Sequence, residues 1–183
     1  MQIHSSRLHY HPLSLQDWPF FCALNLDPQV MRYVSDPRNE DEIRRQSFEI
    51  RLPRWTPGST HWLCLVMRKK EDDTPVGVTG FIDRGAGVAE VGFLLASAFQ
   101  GKGYGIESLR ALCEGAFSLS NFRKLTATVT AGNLASKALL EKAGFVQEGT
   151  LRQSYFLHGR WQDDWVFGLL KTEFRQGSQP QSQ

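Results

Sequence analysis

One short segment limits the folds open to this chain more than any other. It is Gln100-Gly101-Lys102-Gly103-Tyr104-Gly105, placed where strand-like patterning stops and helical patterning starts. Before it, His61 to Met67 is a buried-looking run, Pro75 to Ile82 carries glycines at 77 and 80, and Val88 to Leu95 follows the turn Gly85-Ala86-Gly87. Three such runs with short connections predict an antiparallel meander. After it, Ile106, Leu109, Leu112, Cys113, Ala116 and Phe117 recur at the three-and-four spacing of one apolar helix face. Glycines let a backbone take positive φ and approach a ligand closely. The helix start behind them offers unsatisfied N–H groups at the positive end of its dipole, so the segment can cradle a pyrophosphate. The same glycines also suit a tight turn that binds nothing.

Spacing removes two familiar phosphate loops. A dinucleotide fingerprint would need a glycine where Ile106 stands, and a Walker loop would need Ser or Thr after Gly101-Lys102, where Gly103 follows. The meander ahead of the loop also conflicts with a parallel βαβ start.

The remaining patterning fills in a mixed architecture. Arg7 to His11 reads as a first strand closed by Pro12. Leu15 to Leu26 reads as a helix broken by Asp27-Pro28, and about Glu40 to Leu52 as a second helix. Leu125 to Val129 is a short strand, Asn133 to Ala143 an amphipathic helix stopped by Gly144, and Val146–Leu157 with Trp161–Leu170 a hairpin about His158-Gly159. The expectation is an α/β (α+β) sheet with helices against it, one domain over residues 1–174, and a polar flexible tail at 175–183.

Composition narrows the partners. A formal net charge of +2 over 183 residues is too small to make nucleic acid or an anionic membrane the default partner. The 3 cysteines, Cys22, Cys64 and Cys113, are far apart and lack metal-ligand spacing to histidine, so neither a disulfide framework nor a metal site is expected. The polar N-terminus resembles no signal peptide, and the longest apolar runs have strand length; a cytoplasmic protein is expected. His4, His9, His11, His61 and His158 form no triad order, and Trp55 and Trp62 are read as core or as cleft lining.

Four motifs in order resemble the GNAT N-acetyltransferases. Gln100, Gly103 and Gly105 meet that family's Gln/Arg-x-x-Gly-x-Gly/Ala acyl-CoA loop. Glu90-Val91-Gly92-Phe93-Leu94-Leu95 resembles the strand before the loop. Asn133-Leu134-Ala135-Ser136 and Glu141-Lys142-Ala143-Gly144-Phe145-Val146 resemble the last helix and the strand after it. His158-Gly159-Arg160-Trp161-Gln162-Asp163-Asp164 looks like the terminal hairpin of the branch that holds the ribosomal-protein N-terminal (RimJ/RimL-like) acetyltransferases. The similarity spans about residues 6–172.

The resemblance implies a GNAT fold: a mixed, mostly antiparallel sheet of about six or seven strands with splayed central strands and about four flanking helices. It implies acetyl-CoA as co-substrate and no metal. Phe93, Leu94 and Leu95 would lie beside pantetheine, and Gln100, Gly101, Lys102, Gly103, Tyr104 and Gly105 would hold the pyrophosphate, with a solvated loop lysine as the plain alternative for Lys102. Asn133 would contact a pantetheine amide while also capping its helix. Many relatives carry a tyrosine seven residues after this asparagine as general acid; Leu140 stands there. The ribosomal-protein branch uses a serine three residues after it, which implies that Ser136 donates to the leaving thiolate, against a local role as a first-turn serine.

Glu90 is the leading general-base candidate, with an ion-paired strand residue as the alternative; Asp83 and Glu148 come behind it. A strand N–H near Phe93 or Leu94 would steady the oxyanion. Attack needs a neutral amine. An α-amine near ~8 lies ~2.4 pKa units below a lysine near ~10.4, about 3.3 kcal/mol in its favour. The acceptor implied is a primary amine, at a protein N-terminus or on a small molecule such as a polyamine or antibiotic, and the enzyme a monomer or homodimer. A non-catalytic acyl-CoA-binding module is the competing reading.

Overall fold

The computed structural model describes residues 2–119 and 121–177. A seven-stranded sheet runs in the order β1-β2-β3-β4-β5-β7-β6. Its strands are β1 (Leu8–Pro12), β2 (Leu63–Lys69), β3 (Pro75–Gly85), β4 (Val88–Leu95), β5 (Lys124–Thr130), β6 (Val146–Leu157) and β7 (Arg160–Leu170). Every neighbouring pair is antiparallel except β4–β5, which is parallel. The meander and the closing hairpin therefore form as the sequence predicts.

The helices are α1 (Trp18–Leu26), α2 (Pro28–Met31), α3 (Glu40–Ile43), α4 (Tyr104–Leu119), α5 (Leu134–Lys142) and α6 (Lys171–Gly177). Strand alternation divides the core between two faces. Leu63 and Leu65 join Val91, Leu109, Leu112, Leu125 and Phe167 on the α4–α5 face. Cys64, Val66 and Val78 pack against Phe21, Leu24, Ile43 and Phe48 on the α1–α3 face. No helix among the described residues is long and apolar enough to cross a membrane.

Several details differ from expectation; among them, Leu15–Asp17 is a 3-10 turn ahead of α1, and the short α2 follows the break at Asp27-Pro28. The helix expected over Glu40–Leu52 begins as α3, under a capping box between Asn39 and Glu42, then widens into a π turn at Arg44–Phe48 and tightens into a 3-10 turn at Glu49–Arg51. Ile43 and Phe48 are both fully buried in one cluster. Five residues apart on an α-helix, they would point about 140° apart; the wider turn swings them together. Ile106, placed on the buried stripe of α4, is only half-buried, and Ser108 and Ala111 are buried instead. Finally, α6 continues the chain through Gly177, where a frayed tail was expected from Arg175; the rest of that tail, 178–183, lies outside the described residues.

Candidate active site

The glycine-rich loop is built as a concave backbone surface. Gly101 and Gly103 have φ of 73° and 83°, which side chains rarely adopt. Helix geometry leaves the first N–H groups of α4, at Tyr104, Gly105 and Ile106, without intrahelical acceptors. Tyr104 is the loop's anchor: its ring is buried with Leu8, Met67 and Val76. The Arg7 guanidinium lies 4.2 Å from that ring centre. Arg7 also donates to Lys102 O at 3.0 Å and to Glu107 Oε2 at 2.7 Å. Against the push of burial, the Arg7 backbone N–H, 2.7 Å from Glu107 Oε1, and then the Arg7 guanidinium hold the Glu107 carboxyl below its ordinary range. Gln100 ties the loop to the end of β4 through Nε2 to Leu95 O at 3.0 Å. Lys102 Nζ lies 5.6 Å from the Phe99 ring centre.

Gly105 also has a packing role. A Cβ there would meet Leu139 Cδ2 at 3.3 Å, so this glycine lets α4 and α5 pack closely. Gly101 faces open space.

Beside the loop the sheet forks. β4 and β5 pair only from Val88 to Glu90 with Lys124 to Thr126, and then diverge. Ala96 N donates to Val76 O at 2.9 Å, and Leu95 stands opposite Gly77. The alternation of an antiparallel ladder therefore turns the backbone groups of Gly92 and Leu94 toward β3, and those of Val91, Phe93 and Leu95 into the fork. Of the two strand N–H groups expected near the oxyanion, that of Phe93 faces the opening and that of Leu94 does not.

The fork opens into a cleft of about 560 Å³ that continues under the first helices. Phe93, Leu94, Asn133, Ser136 and Leu140 line it. Asn133 caps α5 as its position implies: Oδ1 accepts the Ser136 N–H at 3.2 Å. The amide nitrogen of Asn133 and the hydroxyl of Ser136 have no hydrogen-bond partner among the described residues, so Ser136 Oγ is not occupied by local backbone. Leu140 is fully buried.

Glu90 does not join this group. It stands at the closed root of the fork, outside the residues that line the cleft, with Oε2 2.8 Å from Arg84 Nε and 2.7 Å from Nη2. Asp83 accepts the Gly85 N–H in its own turn, and Glu148 pairs with Lys124 at 2.6 Å. His158 is a latch: its N–H donates to Asp36 at 2.9 Å, and its Nε2 lies 2.7 Å from Arg32 O. Trp55 packs edge-on against Phe81 in the core, whereas Trp62 lines the cleft. The Trp62 ring lies against β4 where a Cβ on Gly92 would meet it at 3.0 Å.

The far end of the cleft holds side chains to which the sequence assigned no role; of these only Asp164 lies within one of the four motifs. Asn25, Tyr33, Arg38, Ser47 and Arg51 come from the first helical region, and Tyr155 and Asp164 from the hairpin. Tyr155 donates to Val34 O at 2.6 Å and so ties the hairpin over the helices. Burial and the nearby carboxylates of Asp36 and Asp164 raise its pKa, and Arg38 partly offsets them. Asp164 receives the Thr130 hydroxyl at 3.5 Å. Among the described residues no group of three His, Cys, Asp or Glu side chains could hold a metal ion.

The family model for the acetyltransferase (GNAT) domain matches residues 7–146. The uncharacterized N-acetyltransferase p20 of Bacillus licheniformis is 29% identical over 175 residues, 94% of this chain and 97% of its own. A GNAT-family acetyltransferase from Bacillus anthracis superposes with a TM-score of 0.80 at 21% identity, covering 94% of this chain and 100% of its own. The spermidine N-acetyltransferase of Vibrio cholerae, solved with CoA and spermine, superposes at 0.78 with 23% identity over 92% of this chain and 98% of its own. The positive-φ loop and the forked sheet fit acetyl-CoA, and the chain belongs to the GNAT acetyltransferase family as an acetyl-CoA-dependent N-acetyltransferase.

Proposed function

We propose that this enzyme acetylates α-amines, with Ser136 as the proton donor and the acceptor amine entering from the helical end of the cleft. One observation carries the reading: the parallel pairing of β4 and β5 ends at Glu90, and Ser136 Oγ lines the resulting cleft without a protein partner among the described residues. Gly101, Gly103 and the first turn of α4 hold the pyrophosphate, with Gln100, Lys102 and Tyr104 shaping the loop. Val91, Phe93 and Leu95 offer backbone groups to the pantetheine arm, and Asn133 offers its amide NH2.

Bound acetyl-CoA supplies a thioester that an amine can attack directly. Ser136 places a hydroxyl proton at the leaving sulfur. The Phe93 N–H points where negative charge develops on oxygen, a contact that strengthens as the charge grows. Asp164, the carboxylate among the cleft-lining residues, steadies the incoming ammonium form and receives the proton that nitrogen sheds. An α-amine needs little more, because about one in ten of its molecules is already neutral at pH 7. Thiol release should be followed with a short peptide bearing a free N-terminus and with the same peptide blocked at its N-terminus but carrying a lysine. Turnover confined to the free N-terminus supports the reading; equal turnover of both, or lysine alone, overturns it.

A further inference from the structure

At the helical end of the cleft two arginines stand together without a carboxylate. Arg38 and Arg51 both line the cavity, and neither has an ion-pair partner among the described residues. Their hydrogen bonds go to neutral groups that fix their direction. Arg38 donates from Nη1 to Ser47 Oγ at 2.7 Å and from Nη2 to Asn25 Oδ1 at 3.1 Å. Arg51 donates from Nη1 to Ser47 O at 2.7 Å. Asn25, itself buried, is held by Nδ2 to Phe21 O at 2.9 Å. Arg38 Nε is buried with no partner.

Ser47, which receives both guanidiniums, sits in the π turn Arg44–Phe48. Such widened turns recur at functional sites. The cluster is thus built, at the cost of holding two permanent positive charges side by side. Burial and the Arg38 charge both push the Arg51 guanidinium below its ordinary value. Elsewhere the molecule pairs its buried charge in the usual way: Asp17 accepts from Ser14 and lies 3.3 Å from Arg68.

The other charged group lining the cleft is Asp164; Asp36, nearby, is engaged by His158. A polycation would meet two like charges and one opposite charge on entering. An amine that carries its own anion would complete the set, with the anion on the guanidinium pair and the nitrogen toward Asp164 and Ser136.

The geometry points to an acceptor that bears an anionic group, a carboxylate or a phosphate, bound by Arg38 and Arg51 with Asn25 and Ser47 as positioning residues. This rests on the transferase reading of the same cleft and names its substrate class. Guanidiniums held by neutral partners are preorganised for two-point binding of such an anion, because little side-chain freedom remains to be lost.

The test pairs α-amines that differ only in the anion: isoglutamine (glutamic acid α-amide) against glutaminamide, aspartic acid α-amide against asparaginamide, and O-phosphoserinamide against serinamide, with spermidine as the polycation. At least one anionic member should exceed its neutral partner by tenfold or more in kcat/KM, and which pair does so tells carboxylate from phosphate. In Arg51→Met that advantage should collapse through a ten- to hundredfold rise in KM, and Arg51→Lys should recover part of it. Acetyl-CoA affinity, measured by titration, should stay within threefold in both variants.

If acetyl-CoA binds and neutral amines or spermidine turn over as well as every anionic amine, the inference is overturned and the transferase reading stands. If acetyl-CoA does not bind, the transferase reading falls first. The unaltered enzyme's preference decides the matter even if Arg51→Met does not fold.

Discussion

The two ends of the cleft are made of different materials. The end proposed for acetyl-CoA is backbone: a loop with two positive-φ glycines, the first turn of α4, and a strand edge left open after three rungs of parallel pairing. The end proposed for the acceptor is side chain: Arg38, Arg51, Trp62, Tyr155 and Asp164, drawn from separate parts of the chain. A backbone site needs particular residue types at fixed local spacing, because only glycine tolerates the conformation and only a helix start supplies the donors. A side-chain site needs only that the fold bring the groups together. The first kind can be read from a hexapeptide; the second waits for the tertiary structure.

Experiments can sharpen that contrast by showing that each end fails in its own way. Ser136→Ala should act at the junction, lowering kcat about 100-fold, at the low end for loss of a general acid, with acetyl-CoA affinity kept. A loss confined to acetyl-CoA binding would make Ser136 part of the cradle instead. Asp164→Asn should raise the acceptor KM about tenfold, as expected for a charged hydrogen bond lost, and lower kcat by up to about 100-fold as the proton acceptor is removed, without weakening acetyl-CoA. An equal loss for both ligands would erase the division between the ends.

Arg7→Met should loosen the loop from behind. Arg7 is half-exposed, so its bonds to Glu107 should contribute about 1 kcal/mol, the upper range for such a pair. Because the folded protein holds the Glu107 pKa below its unfolded value, this contribution is present above the ordinary carboxylate pKa of ~4.3 and disappears as pH falls through the lower folded value. Melting curves of wild type and variant should therefore differ at pH 7 and converge near the acid limit of folding. A gap that stays constant with pH would mean that Arg7 acts only through packing on Tyr104. The smallest effect should come from Glu90→Gln, with turnover within about threefold, because its carboxylate is held by Arg84 outside the cleft. A loss of 100-fold there would reinstate Glu90 as the base acting through water.

The same contrast explains what could be read in advance. The meander, α4, α5 and the terminal hairpin follow from local periodicity and from Gly144, which takes φ of 99° after the last turn of α5. Asn133 was legible as the cap of α5 from its position, whereas Ser136 was picked out by the family resemblance alone. Gly105 was legible as a motif position but its packing role was not, since the clash it avoids is with Leu139 on another helix. Glu90 could be read either as the base or as an ion-paired strand residue, because strand alternation gives the face of a residue but not how far along the strand the fork begins. Arg38 and Arg51 gave no signal: their meeting depends on the π turn, which exists because Ile43 and Phe48 share one core cluster. Tyr155 and Asp164 reach the cleft through the hairpin's bend, where register shifts between Leu151 and Tyr155.

The most direct trial of the account is a calorimetric titration of acetyl-CoA into wild type and Gly101→Asp. Open space around Gly101 lets the new side chain fit, and Asp tolerates positive φ better than most residues. Its carboxylate would then oppose the pyrophosphate. Binding in the micromolar range by wild type, weakened at least 100-fold in a variant that still melts cooperatively, is the expected result. No binding at millimolar acetyl-CoA, or equal binding by both proteins, would contradict the claim that this loop is the acetyl-CoA cradle.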